Sequence, residues 1–281
     1  MTWRIEVVHT TGFRYARPVT ASYNETRMTP ATDLHQTTIS STVETTPAAR
    51  LPRYWDSWGT QVVACDLHEP HDELVVRSSS VVETEAAEQL PEGIGWDEIG
   101  DTERIDPWVE FLALTPYVAT SEEMVTTARE LRSAYDTPAG AVLGACAWVH
   151  EHLEYAPGTT SVHTSSLGAL AERRGVCQDF AHVTLSLMRS MGVPGRYVSG
   201  YLYPTAQSLM GARVQGESHA WIEAWTGSWW GQDPTNGLMI DERHVTVARG
   251  RDYADVAPFR GTYAGGESSS LGVVVELTRM R

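Results

Sequence analysis

Apolar and polar residues alternate at every second position through the first third of the chain. Trp3, Ile5 and Val7 interleave with Arg4 and Glu6, and comparable runs recur at residues 22–28, 37–45, 60–67 and 73–84. These runs are rich in Thr and Val, and turns such as Asp56-Ser57-Trp58-Gly59 separate them. A period of two with such turns is the mark of β-strands. Strand after strand without an intervening helix predicts an antiparallel β-sandwich or barrel-like domain over residues 1–84. Farther along, the period lengthens. Ser121-Glu122-Glu123 reads as the start of a helix over 124–135, with further helices over 139–153 and 169–173. Val176, Phe180, Val183, Leu187 and Met191 recur at helical spacing until Gly192 and Pro194 stop them. Strand patterning then returns at residues 196–202, 219–225, 229–233 and 272–278. The Gly- and Ser-rich residues 265–270 read as a mobile loop. No internal repeat is visible. The fold class is α+β, with residues 107–281 forming a second domain of helices followed by an antiparallel sheet.

Between the two patterns, nine acidic residues from Glu83 to Asp106 face Arg104 alone, punctuated by Pro91, Gly93, Gly95 and Gly100. Residues 85–106 therefore read as a solvated acidic linker. The whole chain carries a net charge of −15 over 281 residues, which argues against nucleic acid and anionic membranes as partners. Residues 1–15 lack the apolar stretch of a signal peptide, and no run approaches the roughly 20 apolar residues that span a bilayer, so a cytoplasmic location is expected. All 21 basic residues are Arg and only two Asn occur, as a GC-rich genome would give. A chain without lysine would also spare an amine-joining enzyme its own side chains. Of three cysteines, Cys65 lies in a strand-like run and Cys146 in an apolar helical one; both read as buried free thiols.

Cys177 is different. It opens the helix that begins Gly175-Val176-Cys177-Gln178-Asp179, where unpaired N–H groups and the macrodipole favour an anion. Such a position promotes the thiolate, the nucleophilic form, although Asp179 nearby opposes it. Downstream, Ser218-His219-Ala220-Trp221-Ile222-Glu223-Ala224-Trp225 and residues 229–233 flank Thr226-Gly227-Ser228, a hairpin turn. Centring the hairpin on Gly227 sets Trp225 opposite Trp229 and Trp221 opposite Asp233. His219 and Asp233 then lie diagonally on one face, within about 7 Å between Cβ atoms. A slip of one residue would separate them. In this register Asp233 orients His219, and His219 takes the thiol proton.

These residues, together with Tyr155-Ala156-Pro157-Gly158-Thr159-Thr160, Pro194-Gly195-Arg196-Tyr197-Val198-Ser199-Gly200-Tyr201 and Asp233-Pro234-Thr235-Asn236, resemble bacterial transglutaminase-like proteins with the papain-like thiol enzyme core. Tyr15-Ala16-Arg17-Pro18-Val19 and Asp56-Ser57-Trp58-Gly59 look like the β-rich N-terminal domain that accompanies that core. The resemblance implies Cys177 as nucleophile, His219 as base and Asp233 as orienting acid. It also suggests an aromatic near Tyr155 as oxyanion donor beside the Cys177 N–H. Tyr155, Gln178 and Trp221 are thus the candidate oxyanion or substrate-binding residues, and Trp221, Trp225, Trp229 and Trp230 line a groove or pack a core.

The expected reaction is cofactor-free acyl transfer through a Cys177 thioester. Hydrolysis of a peptide, isopeptide or small amide is favoured because water is always at hand and no amine site or calcium loop is marked. Transamidation of glutamine side chains with amines is the first alternative. Coenzyme A-dependent acyl transfer, as in arylamine N-acetyltransferases, is another, although Arg173-Arg174-Gly175-Val176-Cys177 only loosely resembles their nucleophile loop. A non-catalytic binding scaffold is the rival from outside enzymes. His68-Glu69-Pro70-His71 and His150-Glu151-His152 lack the spacing of metal sites and read as surface histidines, and no phosphate-binding Gly-rich loop occurs.

Overall fold

The computed structural model describes residues 2–85, 90–204 and 210–281. Six strands open the chain: β1 (Thr2–Val19), β2 (Ala21–Thr26), β3 (Gln36–Thr46), β4 (Arg53–Trp55), β5 (Gln61–Leu67) and β6 (His71–Glu85). Helices α1 (Trp96–Ile99) and α2 (Thr102–Ile105) and a 3-10 turn over Asp106–Leu112 lead to α3 (Glu122–Ala134) and α4 (Pro138–His152). Next come β7 (Glu154–Tyr155), α5 (Ser166–Glu172), β8 (Arg174–Gly175) and α6 (Cys177–Met191). The remainder is β9 (Gly195–Leu202), β10 (Arg213–Trp225), β11 (Trp229–Asp233), β12 (Leu238–Met239), β13 (His244–Gly250), α7 (Tyr253–Val256), β14 (Phe259–Ala264) and β15 (Ser268–Arg279).

A nine-stranded sheet runs β12-β11-β10-β15-β1-β6-β3, with β9 joined to β10 and β13 to β9. A second sheet runs β14-β2-β5-β4. Tyr15, Val19, Met28, Val63, Leu74 and Val76 fill a small core in the β-rich part. The larger core is built around α6, which brings Phe180, Val183, Leu185 and Leu187 against Tyr197, Tyr201, Ile222 and Ala224 of the sheet. Thirteen of the fifteen α6 residues are buried, so this helix is enclosed rather than laid on a surface. Arg189 accordingly spends its guanidinium on three carbonyls, those of Ala113, Gly195 and Arg251.

The predicted α+β class holds, and the four expected helices, α3 to α6, fall within three residues of their expected bounds, while α1, α2 and α7 were not expected. Three features depart from expectation. Residues 268–270 are not a loop: they belong to β15 and pair with Tyr15, Arg14 and Phe13. The eighteen-residue β1 offers backbone groups along its whole length that need partners, and Gly272, at φ 87°, admits the bulge that carries the pairing past Thr11. Residues 90–106 of the acidic stretch pack instead of looping out; residues 86–89 of it lie outside the described residues. Ile99 is buried, and Trp96 receives the Arg132 guanidinium over its ring at 4.3 Å while donating to the Tyr135 carbonyl. Its apolar residues turn inward and its carboxylates outward. Finally, β15 pairs with β1 and β14 with β2, so strand pairing crosses the boundary drawn between residues 84 and 107.

Candidate active site

The turn into α6 is built by a short parallel pair. Tyr155 of β7 lies opposite Gly175 of β8, and the Ala156 N–H donates to the Gly175 carbonyl at 2.9 Å. Val176 is extended and the helix starts at Cys177. Asp179 reaches back across this turn: its Oδ2 accepts from the Val176 N–H at 2.8 Å and from the Thr160 hydroxyl at 2.7 Å. Burial raises the Asp179 pKa, and those two hydrogen bonds only partly offset it. The carboxylate expected to oppose the thiolate is thus committed to capping. Cys177 is half-buried, and its N–H finds no acceptor among the described residues.

His219 and Asp233 meet as the hairpin register required. Trp225 pairs with Trp229, Glu223 with Gly231 and Ile222 with Gln232. His219 Nε2 and Asp233 Oδ2 are 2.6 Å apart. Asp233 is fully buried, and its Oδ1 accepts from the Thr235 and Asn236 backbone N–H groups at 2.9 and 3.1 Å. Asn236 Nδ2 adds a bond of 2.7 Å to Oδ2. Burial alone would raise this carboxyl's pKa, but hydrogen bonds from His219 and neighbouring donors hold it far below the ordinary range. Burial likewise opposes charge on His219, yet its bonds to Asp233 and Cys177 win and raise it to about 10. With Nε2 taken by Asp233, Nδ1 is the nitrogen left for the thiol.

His244 was not expected here. It is buried at the start of β13, with Nδ1 3.0 Å from Asp241 Oδ1 and Nε2 3.6 Å from Asp233 Oδ2. The second distance is an electrostatic contact, too long for a hydrogen bond. His219, Asp233 and His244 offer ligand atoms within 4.8 Å of one another, the one such group among the described residues. A cation there would have to part Nε2 of His219 from the carboxylate that it already meets at 2.6 Å. The arrangement is that of a hydrogen-bonded His219–Asp233 pair with His244 in electrostatic contact behind it. Among the histidines read as surface groups, His71 is instead buried, 3.3 Å from Ser22 Oγ, while His152 stacks on Trp148 at 4.0 Å.

An open cleft of about 520 Å³ lies beside these groups, walled by Tyr155, Leu202, Gln215, Glu217, His219 and Asn236. Strand pairing explains its place. On one side, β10 pairs with β15 through Gly216 and with β11 from Ile222, which leaves 217–221 between the two partners. Tyr155 stands at the cleft, its hydroxyl pKa raised by burial and by the proximity of Cys177 and Glu217. Two expected contributors sit elsewhere. Gln178 donates its amide to the Val162 carbonyl at 3.2 Å, bracing the loop before α5. Trp221 is wholly buried, edge-on to His244 at 5.3 Å, so it supports the imidazoles from beneath and has no surface to offer a substrate. Trp225, Trp229 and Trp230 pack a core, where Trp108 meets Trp225 and Trp229 and Arg196 lies over Trp229. Glu217 and Gln215 were legible in principle, since they share the strand face of His219 at two-residue spacing.

Residues 5–83 match the bacterial transglutaminase-like N-terminal region, and residues 125–234 match the transglutaminase-like superfamily. The second span contains Cys177, His219 and Asp233. An uncharacterised protein of Mycobacterium leprae is 50% identical over 278 residues, covering 99% of each chain. One from Mycobacterium tuberculosis is 30% identical over 311 aligned positions, covering 98% of this chain and 93% of that one. The crystal structure of a candidate cysteine protease from Cytophaga hutchinsonii superposes with a TM-score of 0.80 at 22% identity, over 100% of this chain and 92% of the other. At that identity the likeness is one of fold.

Proposed function

The chain belongs to the transglutaminase-like superfamily, and from that premise we propose that it is a cysteine-nucleophile amide hydrolase acting through Cys177, His219 and Asp233. The observation that carries this reading is the 2.6 Å contact between His219 and a buried, four-times hydrogen-bonded Asp233, with the Cys177 thiol as the other partner of the same ring. The Cys177 sulfur attacks a carbonyl carbon, and the oxyanion is met by the Cys177 N–H with the Tyr155 hydroxyl beside it. His219 passes its proton to the nitrogen as the C–N bond breaks, and the amine leaves. Water then attacks the thioester, giving a proton to His219 and releasing the acid with the thiol restored. Asp233 stays ionised and holds the ring throughout. One oxyanion donor is worth on the order of 10²–10³ in turnover.

The test is covalent. A thiol-directed electrophile at low concentration should label Cys177 selectively, and Cys177→Ala should lose both the label and amide turnover. Incubation with a mixed peptide and amine library, read by mass, distinguishes acid products from new amides. Labelling that persists in Cys177→Ala would move the nucleophile elsewhere.

A further inference from the structure

Among the described residues, Glu217 is the one acidic side chain on the cleft wall. It lies two residues before His219 on the same face of β10, about 7 Å along the strand. Residues 217–221 pair with β9 on one edge and have no partner on the other, and the Glu217 side chain is exposed. Carboxylates on the neighbouring elements are spoken for: Glu276 pairs with Arg213 at 3.5 Å and Glu154 with Arg174 at 2.9 Å. Every Arg in the chain is among the described residues, and none of them pairs with Glu217. Residues 205–209, beyond the cleft residue Pro204, contain no basic side chain. The remaining polar wall, formed by Tyr155, Gln215, Thr235 and Asn236, is neutral, and His219 is already matched by Asp233. A lone carboxylate at the mouth of a cleft, on a molecule of net charge −15, draws cations and repels anions.

We infer that Glu217 selects substrates with a cationic group, an ammonium or a guanidinium, one residue from the amide that Cys177 attacks. This rests on the proposed thiol chemistry and adds the substrate class. The carboxylate reads charge and does not join the reaction. An acidic flank would place like charges together in the cleft, and a neutral one would leave the Glu217 carboxylate unmatched.

Three methanethiosulfonates of similar size test it without a known substrate: an ethylammonium, a neutral alkyl and an ethylsulfonate reagent. Rates of Cys177 modification are followed by mass and normalised to those of a small free thiol. The wild-type cation-to-anion ratio should exceed that of the free thiol by about tenfold or more, as one charge on the order of 7–10 Å from sulfur would give. Glu217→Gln should collapse most of that preference and Glu217→Arg should reverse it. Glu44→Gln, on the far edge strand β3, should leave the ratio as it is. A ratio unmoved by Glu217→Gln and Glu217→Arg would overturn the inference while leaving the thiol reading intact. If Cys177 in the folded protein resists all three reagents, the thiol reading fails first and the inference with it. Once a turned-over amide is found, kcat/KM for lysine-flanked against glutamate-flanked versions should fall at least tenfold in ratio in Glu217→Gln.

Discussion

Asp233 receives hydrogen bonds on both oxygens, and the turn that supplies them is its own: Asp233-Pro234-Thr235-Asn236 folds back so that two N–H groups and the Asn236 amide meet the carboxylate. The carboxylate is therefore fixed before it meets His219, and together with the Cys177 thiol it keeps the ring protonated. Asp233→Asn preserves the shape and removes the charge. The His219 titration, followed by imidazole NMR, should drop from about 10 towards the ordinary value near 6.5. Amide turnover should fall on the order of 10³-fold or more, as loss of the orienting acid does in comparable triads. A midpoint that stays near 10 would mean that Cys177 alone holds the proton. The three residues of the proposed triad were legible because each sits at a position that local pattern defines: a helix start, a strand face, a hairpin end. His244 was not. Its approach to Asp233 depends on where β13 returns after two turns, and no spacing in the chain encodes that distance. Gln178 misled for the converse reason. Adjacency to Cys177 suggested a role in the cleft, but on a helix the next residue points about 100° away, and there it meets Val162.

The helix that carries Cys177 is set by a crowded turn. A Cβ on Gly175 would stand 2.6 Å from both Cβ and Oδ2 of Asp179, too close for any contact to survive. Gly175→Ala must push Asp179 off the Val176 N–H or tilt the first turn of α6. Stability should fall by roughly 1–3 kcal/mol, as overpacking typically costs. Turnover should fall further than the lost folded fraction explains, because the same turn aims the sulfur. Melting curves beside kcat under conditions where the variant is fully folded separate the two effects; equal losses would make the turn merely structural. At this scale the periodicities were good guides. Helix α6, the hairpin and its register all follow from local pattern and one glycine. Strands β13 and β14 escaped because both are short and interrupted by Arg and Gly, which leaves too little alternation to read. They are strands because β9 and β2 offer edges to pair with. Tertiary pairing overrode a weak local signal.

The whole molecule is tied together by contacts that the two-part reading of the sequence did not contain. Strand β15 joins β1 to β10, Arg249 bridges Asp33 at 2.7 Å to the buried Glu223, and His9 of β1 meets the Tyr201 hydroxyl of β9 at 2.9 Å. A contact between residues nearly two hundred positions apart leaves no trace in periodicity. It does have a thermodynamic consequence. Burial holds the His9 pKa down to about 4 and, with Arg189 adding repulsion, that of His182 down to about 3. Unfolded, both rings bind a proton below about 6.5. Between that pH and the folded values the unfolded state carries more protons, so stability falls as the solution becomes more acidic. Each ring can contribute up to about 1.4 kcal/mol per pH unit, giving the pair roughly 4–5 kcal/mol by pH 4.5. His219 acts in the other direction: its contribution is complete below about 6.5 and is lost as pH rises through about 10. In the acid window both folded and unfolded states protonate it, so it drops out there. Denaturant unfolding from pH 7 to 4.5 should therefore show a steep acid loss. His182→Gln keeps an acceptor for the Tyr253 N–H, now held at 3.2 Å, and should remove about half the slope. His9→Gln in the same chain should flatten most of the rest. A slope that survives the double variant would assign the acid sensitivity to groups other than these two rings; Glu223, which Arg249 and Arg196 hold at about 2, adds its own loss only below the unfolded carboxylate value of roughly 4.3, beneath that window.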